Sequence, residues 1–259
     1  MSTLLAYLAL IGGTVLLGPV VLLAQLLGVK RTRHGIYQKC ARWWSRGVLA
    51  AAGVEVITHR STLIAPDRPH VYIANHVSWF DILVIIESLP DFGFVAKREV
   101  ERVPIFGSAA RAVGVMYIDR ENRKAAFSTY DDAAKLIREG DSVVVYPEGT
   151  RGDDYALRPF KKGPFVLAIQ AGVPVIPIVI HGTIAVNARG SLQARSGTVH
   201  VHLLDPISTE GLTYDQRDEL AERVRSRMAD VLREQYGVNP PLSGKTEVPQ
   251  QLPSVQVTA

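Results

Sequence analysis

Residues 2–29, STLLAYLALIGGTVLLGPVVLLAQLLGV, contain no charged side chain. As one helix this run extends ~42 Å at about 1.5 Å per residue. The hydrocarbon core of a bilayer is roughly 30 Å thick, so the run is long enough to cross it. Gly12-Gly13 and Gly18-Pro19 interrupt the pattern, and Pro19 is expected to kink or break the helix. Two shapes follow: one tilted span, or a broken helix that dips into one leaflet and leans on the next segment. A secretory signal is disfavoured, because no basic residue precedes the run and it is too long.

The charge that follows fits a membrane neighbour. Residues 30–46 carry Lys30, Arg31, Arg33, Lys39, Arg42 and Arg46 and no acid. The remaining 23 basic residues meet 25 acidic ones, so the excess of +4 sits in this one segment. Anionic headgroups attract such clusters at about 1 kcal/mol per Lys or Arg. The cluster predicts that this end faces the cytoplasm, at the cell membrane, with the rest of the chain on the same side. It does not suggest nucleic acid as a partner. Trp43 and Trp44 among these cations suit a helix at headgroup depth; two buried core tryptophans are the alternative. The single cysteine, Cys40, builds no disulfide framework and reads as a small buried hydrophobe.

From residue 54 the pattern changes to short strands alternating with helices. Strands are expected at 54–58, 70–74, 93–97, 115–118, 142–146, 175–180 and 198–204. Helices are expected at 79–89, 106–113, 122–139, 162–171 and 213–236, the last capped by Thr213. This is an α/β fold with a mostly parallel central sheet flanked by helices, preceded by a membrane-embedded helical segment. The domains read as 1–53 (membrane-anchoring and interfacial helices), 54–236 (the α/β domain) and 237–259 (a disordered tail).

Asn75-His76-Val77-Ser78-Trp79-Phe80-Asp81 follows a strand and opens a helix. A five-residue step turns about 500° around a helix, so His76 and Asp81 meet only if His76 lies in the preceding turn. Ser78 then serves as N-cap and Asp81 as the third helical residue, reaching back to the imidazole. A histidine so held can take a proton from a hydroxyl, with the carboxylate fixing the tautomer and stabilising the imidazolium. Alone, Ser-x-x-Asp is as readily an ordinary capping box. Its weight comes from other segments at strand ends: Lys97-Arg98-Glu99, Gly114-Val-Met-Tyr-Ile-Asp119-Arg120, Tyr146-Pro147-Glu148-Gly149-Thr150-Arg151 and Val173-Pro174-Val175-Ile176-Pro177-Ile178.

Together these blocks resemble the glycerolipid acyltransferase family, in its 1-acylglycerol-3-phosphate acyltransferase branch, over roughly residues 54–205. The resemblance implies transfer of a fatty acyl group from acyl-CoA or acyl-carrier protein to the sn-2 hydroxyl of lysophosphatidic acid. It implies His76 as general base with Asp81 as its partner. Lys97, Arg120, Glu148, Gly149, Thr150 and Arg151 would bind the glycerol phosphate, and the proline-containing block would shape the acyl tunnel. Neither a cofactor nor a metal is implied; the thioester is a substrate, and membrane phospholipids surround the site. Tyr146 stands where the family usually has phenylalanine, and Met116-Tyr117 is a variant of its block.

The residues by themselves leave alternatives. Glu148 can hold Arg151 or bind a glycerol hydroxyl, Arg120 can pair with Asp119, and Lys161-Lys162 reads as a solvated face before a phosphate site. The acceptor can be another lysolipid, such as a lyso-ornithine lipid; a lipid-binding protein without catalysis is a weaker reading. His200 and His202 share one strand face but make a poor zinc site without a third ligand, and His181 takes no role. No G-x-S-x-G, Walker A or G-x-G-x-x-G segment occurs, which disfavours serine hydrolases and nucleotide enzymes.

Overall fold

The computed structural model describes residues 2–65, 67–118 and 123–238, the side chains of 123–129 excepted. Arg120 and the tail from residue 239 lie outside the described residues. The amino-terminal run forms one helix, α1 (Ser2–Leu26), which continues through Pro19. The expected break is absent. Proline removes a single donor from the helix ladder, and packing on α2 (Ile36–Ala52) and α5 (Phe106–Val113) supports the turns around it. The contact is close because glycines face it. A Cβ on Gly13 would stand 2.8 Å from Trp44 Cδ1, and one on Gly18 2.5 Å from Ile105 Cγ2.

The opposite face of α1 presents Leu4, Leu8, Ile11, Leu16 and Leu23, all more than half exposed. By length and composition α1 is able to cross a membrane. Its first turn is tied down: Ser2 Oγ and Thr3 Oγ1 both donate to the Ala194 carbonyl at 2.9 Å. The Ala194 N–H donates back to Thr3 Oγ1 at 3.1 Å.

The two tryptophans face different ways. Trp43 is 55% exposed. Trp44 turns inward, and its Nε1–H reaches both the Leu10 carbonyl and Thr14 Oγ1 at 3.2 Å. Most of the basic cluster also has protein partners. Arg31 pairs with Asp141, Arg33 with Asp91 at 3.4 Å, and Arg46 holds Glu87 through two 2.8 Å bonds. Arg42 donates to the carbonyls of Ile86, Leu89 and Pro90, covering acceptors that a helix end leaves open. The cluster therefore fastens α2 to the α/β layers, while Lys30 and Lys39 stay exposed.

The strands are β1 (Val54–Arg60), β2 (Val71–Ala74), β3 (Gly93–Lys97), β4 (Val115–Ile118), β5 (Val143–Val145), β6 (Val175–His181) and β7 (Gly197–Leu203). They form one sheet in the order β1-β7-β6-β2-β5-β3-β4. The five from β6 to β4 are parallel; β1 and β7 run together in the opposite direction, with the antiparallel seam between β6 and β7. Residues 71–74 are buried throughout, as a central parallel strand covered on both faces requires. One face packs on α2 and α3 (Phe80–Ser88). The other packs on α6 (Arg123–Arg138), α7 (Gly163–Ala171) and α9 (Arg217–Tyr236). Two short helices were absent from the sequence reading: α4 (Arg98–Glu101) and α8 (Thr183–Val186). A 3-10 turn with a Thr213/Gln216 capping box precedes α9.

Parallel strands put their carboxyl ends on one edge, where α/β sites gather. The His76 turn leaves β2 there. Beside it the Tyr146–Arg151 segment leaves β5, Lys97 ends β3, and β4 ends at Ile118.

Candidate active site

The site begins where β2 ends. Asn75 is buried, and its side chain donates to the Ile180 carbonyl at 3.0 Å and accepts the Ile180 N–H at 2.8 Å. This amide clasps β2 to β6 one residue beyond their ladder and fixes where the chain turns into His76. α3 opens next. Ser78 Oγ accepts the Phe80 N–H at 3.2 Å and donates to the Asn187 carbonyl at 2.7 Å. Asp81 accepts the Ser78 N–H at 2.8 Å. The N-cap is Trp79, one residue later than expected, so Asp81 is the second helical residue rather than the third, and it still reaches back across the turn.

Asp81 is fully buried. Its Oδ2 accepts three donors: His76 Nδ1 at 2.8 Å, the Val77 N–H at 2.7 Å and the Ser78 N–H. Its Oδ1 accepts Thr183 Oγ1 at 2.7 Å. A carboxylate in this position only accepts, so the imidazole proton sits on Nδ1 and Nε2 keeps its lone pair. The His76 side chain is 16% exposed. Its ring stacks on Tyr146 with centroids 4.0 Å apart and planes 18° from parallel. The geometry leaves an imidazole with one fixed tautomer and one open nitrogen.

The Tyr146–Arg151 segment is fastened to the histidine's own backbone. The His76 N–H donates to Glu148 Oε1 at 3.0 Å, and the Gly152 N–H donates to the His76 carbonyl at 2.7 Å. Glu148 is buried and also accepts the Arg158 N–H at 3.2 Å. Burial pushes its carboxyl above the ordinary range, while bonds from His76 and Arg158 oppose the shift. The charge partner of Glu148 is therefore Arg158, at 3.6 Å, and not Arg151. Arg158 also donates to the Thr150 hydroxyl and carbonyl. Arg151 is half-buried and Lys97 exposed, and among the described residues neither has a hydrogen-bonded or ion-paired partner. Lys162 pairs with Asp218 at 2.8 Å. Lys161, by contrast, lies over the turn, where a Cβ on Gly149 would meet its Cε at 2.7 Å.

Three contributors escaped the sequence reading. Asn75 was legible in principle, since an amide directly after a buried strand has a ladder end to clasp. Arg158 and Thr183 were not, because they meet Glu148 and Asp81 only through the fold. Arg120, expected here, belongs to the residues not described.

Four other histidines, His59, His181, His200 and His202, form a separate group on β1, β6 and β7. His59 Nε2 lies 3.1 Å from His200 Nδ1, and the His59 and His202 rings stack at 4.4 Å. His202 Nε2 lies 2.6 Å from the Tyr236 hydroxyl, and His181 stacks on Tyr236 at 3.7 Å. The expected exposed face is thus partly covered by α9. Among the described residues no three ligands converge as a metal site.

Burial, helped by His59, His200 and His181, lowers His202 to about 4. Burial also lowers His70, helped by Arg33 and Arg68, again to about 4. In the unfolded chain both return to their usual 6.5. The unfolded state then binds more protons, so stability is lost as pH falls from about 6.5 toward about 4. Thermal melts between pH 7.5 and 5 are expected to show a falling midpoint, and the His202→Gln variant a shallower fall. An equal slope in both would contradict this assignment.

Comparison with known proteins came out consistently. The family model described as Acyltransferase matches residues 55–181. The human 1-acyl-sn-glycerol-3-phosphate acyltransferase alpha is 38% identical over 184 residues, covering 70% of this chain and 65% of its own length. The 1-acyl-sn-glycerol-3-phosphate acyltransferase of Saccharomyces cerevisiae is 34% identical over 189 residues, 71% and 62% of the two chains. The match thus spans just under two thirds of these relatives. The crystal structure of the 1-acyl-sn-glycerophosphate (LPA) acyltransferase PlsC from Thermotoga maritima superposes with a TM-score of 0.77 at 25% identity. That superposition covers 90% of this chain and 94% of the other.

Proposed function

Since the chain belongs to the glycerolipid acyltransferase family, in its 1-acylglycerol-3-phosphate acyltransferase branch, we propose that it acylates the sn-2 hydroxyl of lysophosphatidic acid. The donor is an acyl-CoA or acyl-carrier-protein thioester and the product is phosphatidic acid. The observation that carries the reading is the His76 Nδ1–Asp81 Oδ2 bond of 2.8 Å, which leaves Nε2 free at the carboxyl edge of the sheet.

In the proposed step Nε2 takes the proton of the acceptor hydroxyl as its oxygen attacks the thioester carbonyl. The new C–O bond forms, the C–S bond breaks, and the thiolate recovers the proton from the imidazolium. Asp81 stabilises that imidazolium without taking its proton. Arg151, Lys97 and the undescribed Arg120 would receive the phosphate, with Lys161 beside them. A guanidinium offers a phosphomonoester two parallel bonds. Glu148, Gly149 and Thr150 would shape this cradle from behind, since Glu148 and Thr150 are held by Arg158. The apolar face of α1, with exposed Trp43, Trp79, Val103 and Ile105, supports membrane anchoring; the 54–236 layers would lie on the cytoplasmic side.

Purified protein in detergent, given lysophosphatidate and acyl-CoA, is expected to release thiol only when both are present. Arg151→Ala is expected to lose about 10–100-fold in kcat/KM with the phosphorylated acceptor, the scale of one charge-assisted contact. With an uncharged lysolipid it should change little. Equal loss on both acceptors would remove Arg151 from the phosphate site and favour a lyso-ornithine-type acceptor. Vesicle binding without any thiol release would leave only a lipid-binding role.

A further inference from the structure

Two oxygens of Asp81 do two different things. Oδ2 faces His76 and the helix start, and Oδ1 faces Thr183. We infer that Thr183 is a positioning residue for acyl transfer, whose hydroxyl holds the Asp81 carboxylate in the one orientation that presents Oδ2 to His76 Nδ1. The inference rests on the acyl-transfer reading above and adds a group that it does not require.

The placement of Thr183 is over-determined for a residue that only fills space. It is fully buried at the first position of α8. The Tyr155 hydroxyl accepts the N–H on each side of it, from Gly182 at 2.7 Å and from Ile184 at 3.1 Å. Gly182 has φ 104°, and a Cβ there would stand 2.4 Å from the Thr198 carbonyl, so the turn admits no other residue cheaply. Tyr155 is itself braced, its ring 4.4 Å from His181, which stacks on Tyr236 at the end of α9. A line of contacts thus runs from the last turn of α9 to the carboxylate behind His76.

The chemistry explains why a hydroxyl belongs there. With Oδ1 unpartnered, the carboxylate can librate about its Cβ–Cγ bond and tilt Oδ2 away from the line of the His76 Nδ1–H, even while the Val77 and Ser78 N–H groups keep that oxygen in place. Such rotation is slight in distance, but general-base catalysis depends on the geometry of the hydrogen bond. A second donor at Oδ1 fixes that torsion and also solvates an oxygen that no water reaches. Thr183 touches no substrate, so its contribution passes entirely through Asp81 to His76.

The test compares Thr183→Val, which keeps the shape and removes the donor, with Thr183→Ser, which keeps the donor. Both are assayed by acceptor-dependent thiol release on detergent-purified protein, beside thermal melts. Thr183→Val is expected to lower kcat about 10–100-fold, the range of one hydrogen bond to a charged group, with both KM values within about twofold. Thr183→Ser is expected to recover most of kcat. Tyr155→Phe keeps the ring and loses the acceptor of both N–H groups; it should lower kcat in the same sense, by less.

A folded Thr183→Val enzyme with wild-type kcat overturns the inference, as does a Ser variant as slow as Val or a loss confined to KM. If Thr183→Val does not fold, Tyr155→Phe and Thr183→Ser decide: unchanged kcat in the first with a slow second rejects the role. Failure of the acyl-transfer reading itself would look different, because the unaltered protein would then release no thiol.

Discussion

His76→Ala is expected to reduce acceptor-dependent thiol release by at least ~100-fold, and by as much as ~10⁴-fold, the range for removing a general base. The loss should fall on kcat, because the imidazole acts on the reacting hydroxyl and leaves the phosphate cradle untouched. The fold should survive. The backbone of residue 76 makes the bonds to Glu148 and Gly152, and alanine keeps both. Asp81 also keeps the Val77, Ser78 and Thr183 donors. Steady-state kinetics with varied acceptor, beside a melting curve, checks both halves. Retained turnover in a folded variant would dismiss His76 as the base and with it the whole mechanism.

Asp81→Asn is expected to lose about 10²–10³-fold in kcat. In serine proteases the corresponding change costs about 10⁴-fold, in part because the imidazole adopts the wrong tautomer. Here two backbone N–H groups also point at Oδ2. They oblige the asparagine oxygen to stay there and its NH₂ to face Thr183. The tautomer is therefore kept and only the charge is lost, which argues for a smaller penalty. The double variant with His76→Ala should be no slower than His76→Ala alone, because partners in one proton transfer are not additive. Asp81→Ala is a poorer probe: it strands buried donors at ~1–3 kcal/mol each and damages the fold.

The sequence made much of this site legible because its parts are local. His76 and Asp81 are five residues apart, and the helix geometry alone decides whether they meet. The sheet was equally readable, since apolar runs such as 71–74 and 143–145 leave a buried parallel strand as the simple interpretation. What escaped depends on how the chain folds back rather than on local spacing. Arg158 reaches Glu148 only after the loop following β5 folds back, and Thr183 reaches Asp81 across 102 positions. The basic segment misled for a related reason. Net charge says nothing about partners, and the acids that pair with Arg31, Arg33 and Arg46 lie more than 40 residues away. Pro19 misled because local propensity was outweighed by the helices packed around it.

The clamp between the first turn of α1 and Ala194 has a kinetic meaning. The segment leading from Asn187, which receives the Ser78 hydroxyl, to Ala194 joins that anchor to the helix start beside His76. On the proposed anchoring of α1 in the bilayer, so little slack would hold His76 Nε2 at one set depth in the lipid film. Encounter then becomes a search in two dimensions, and turnover follows the mole fraction of acceptor in the surface rather than its amount per unit volume. Diluting the film with inert lipid slows such an enzyme even when every molecule of acceptor is still present.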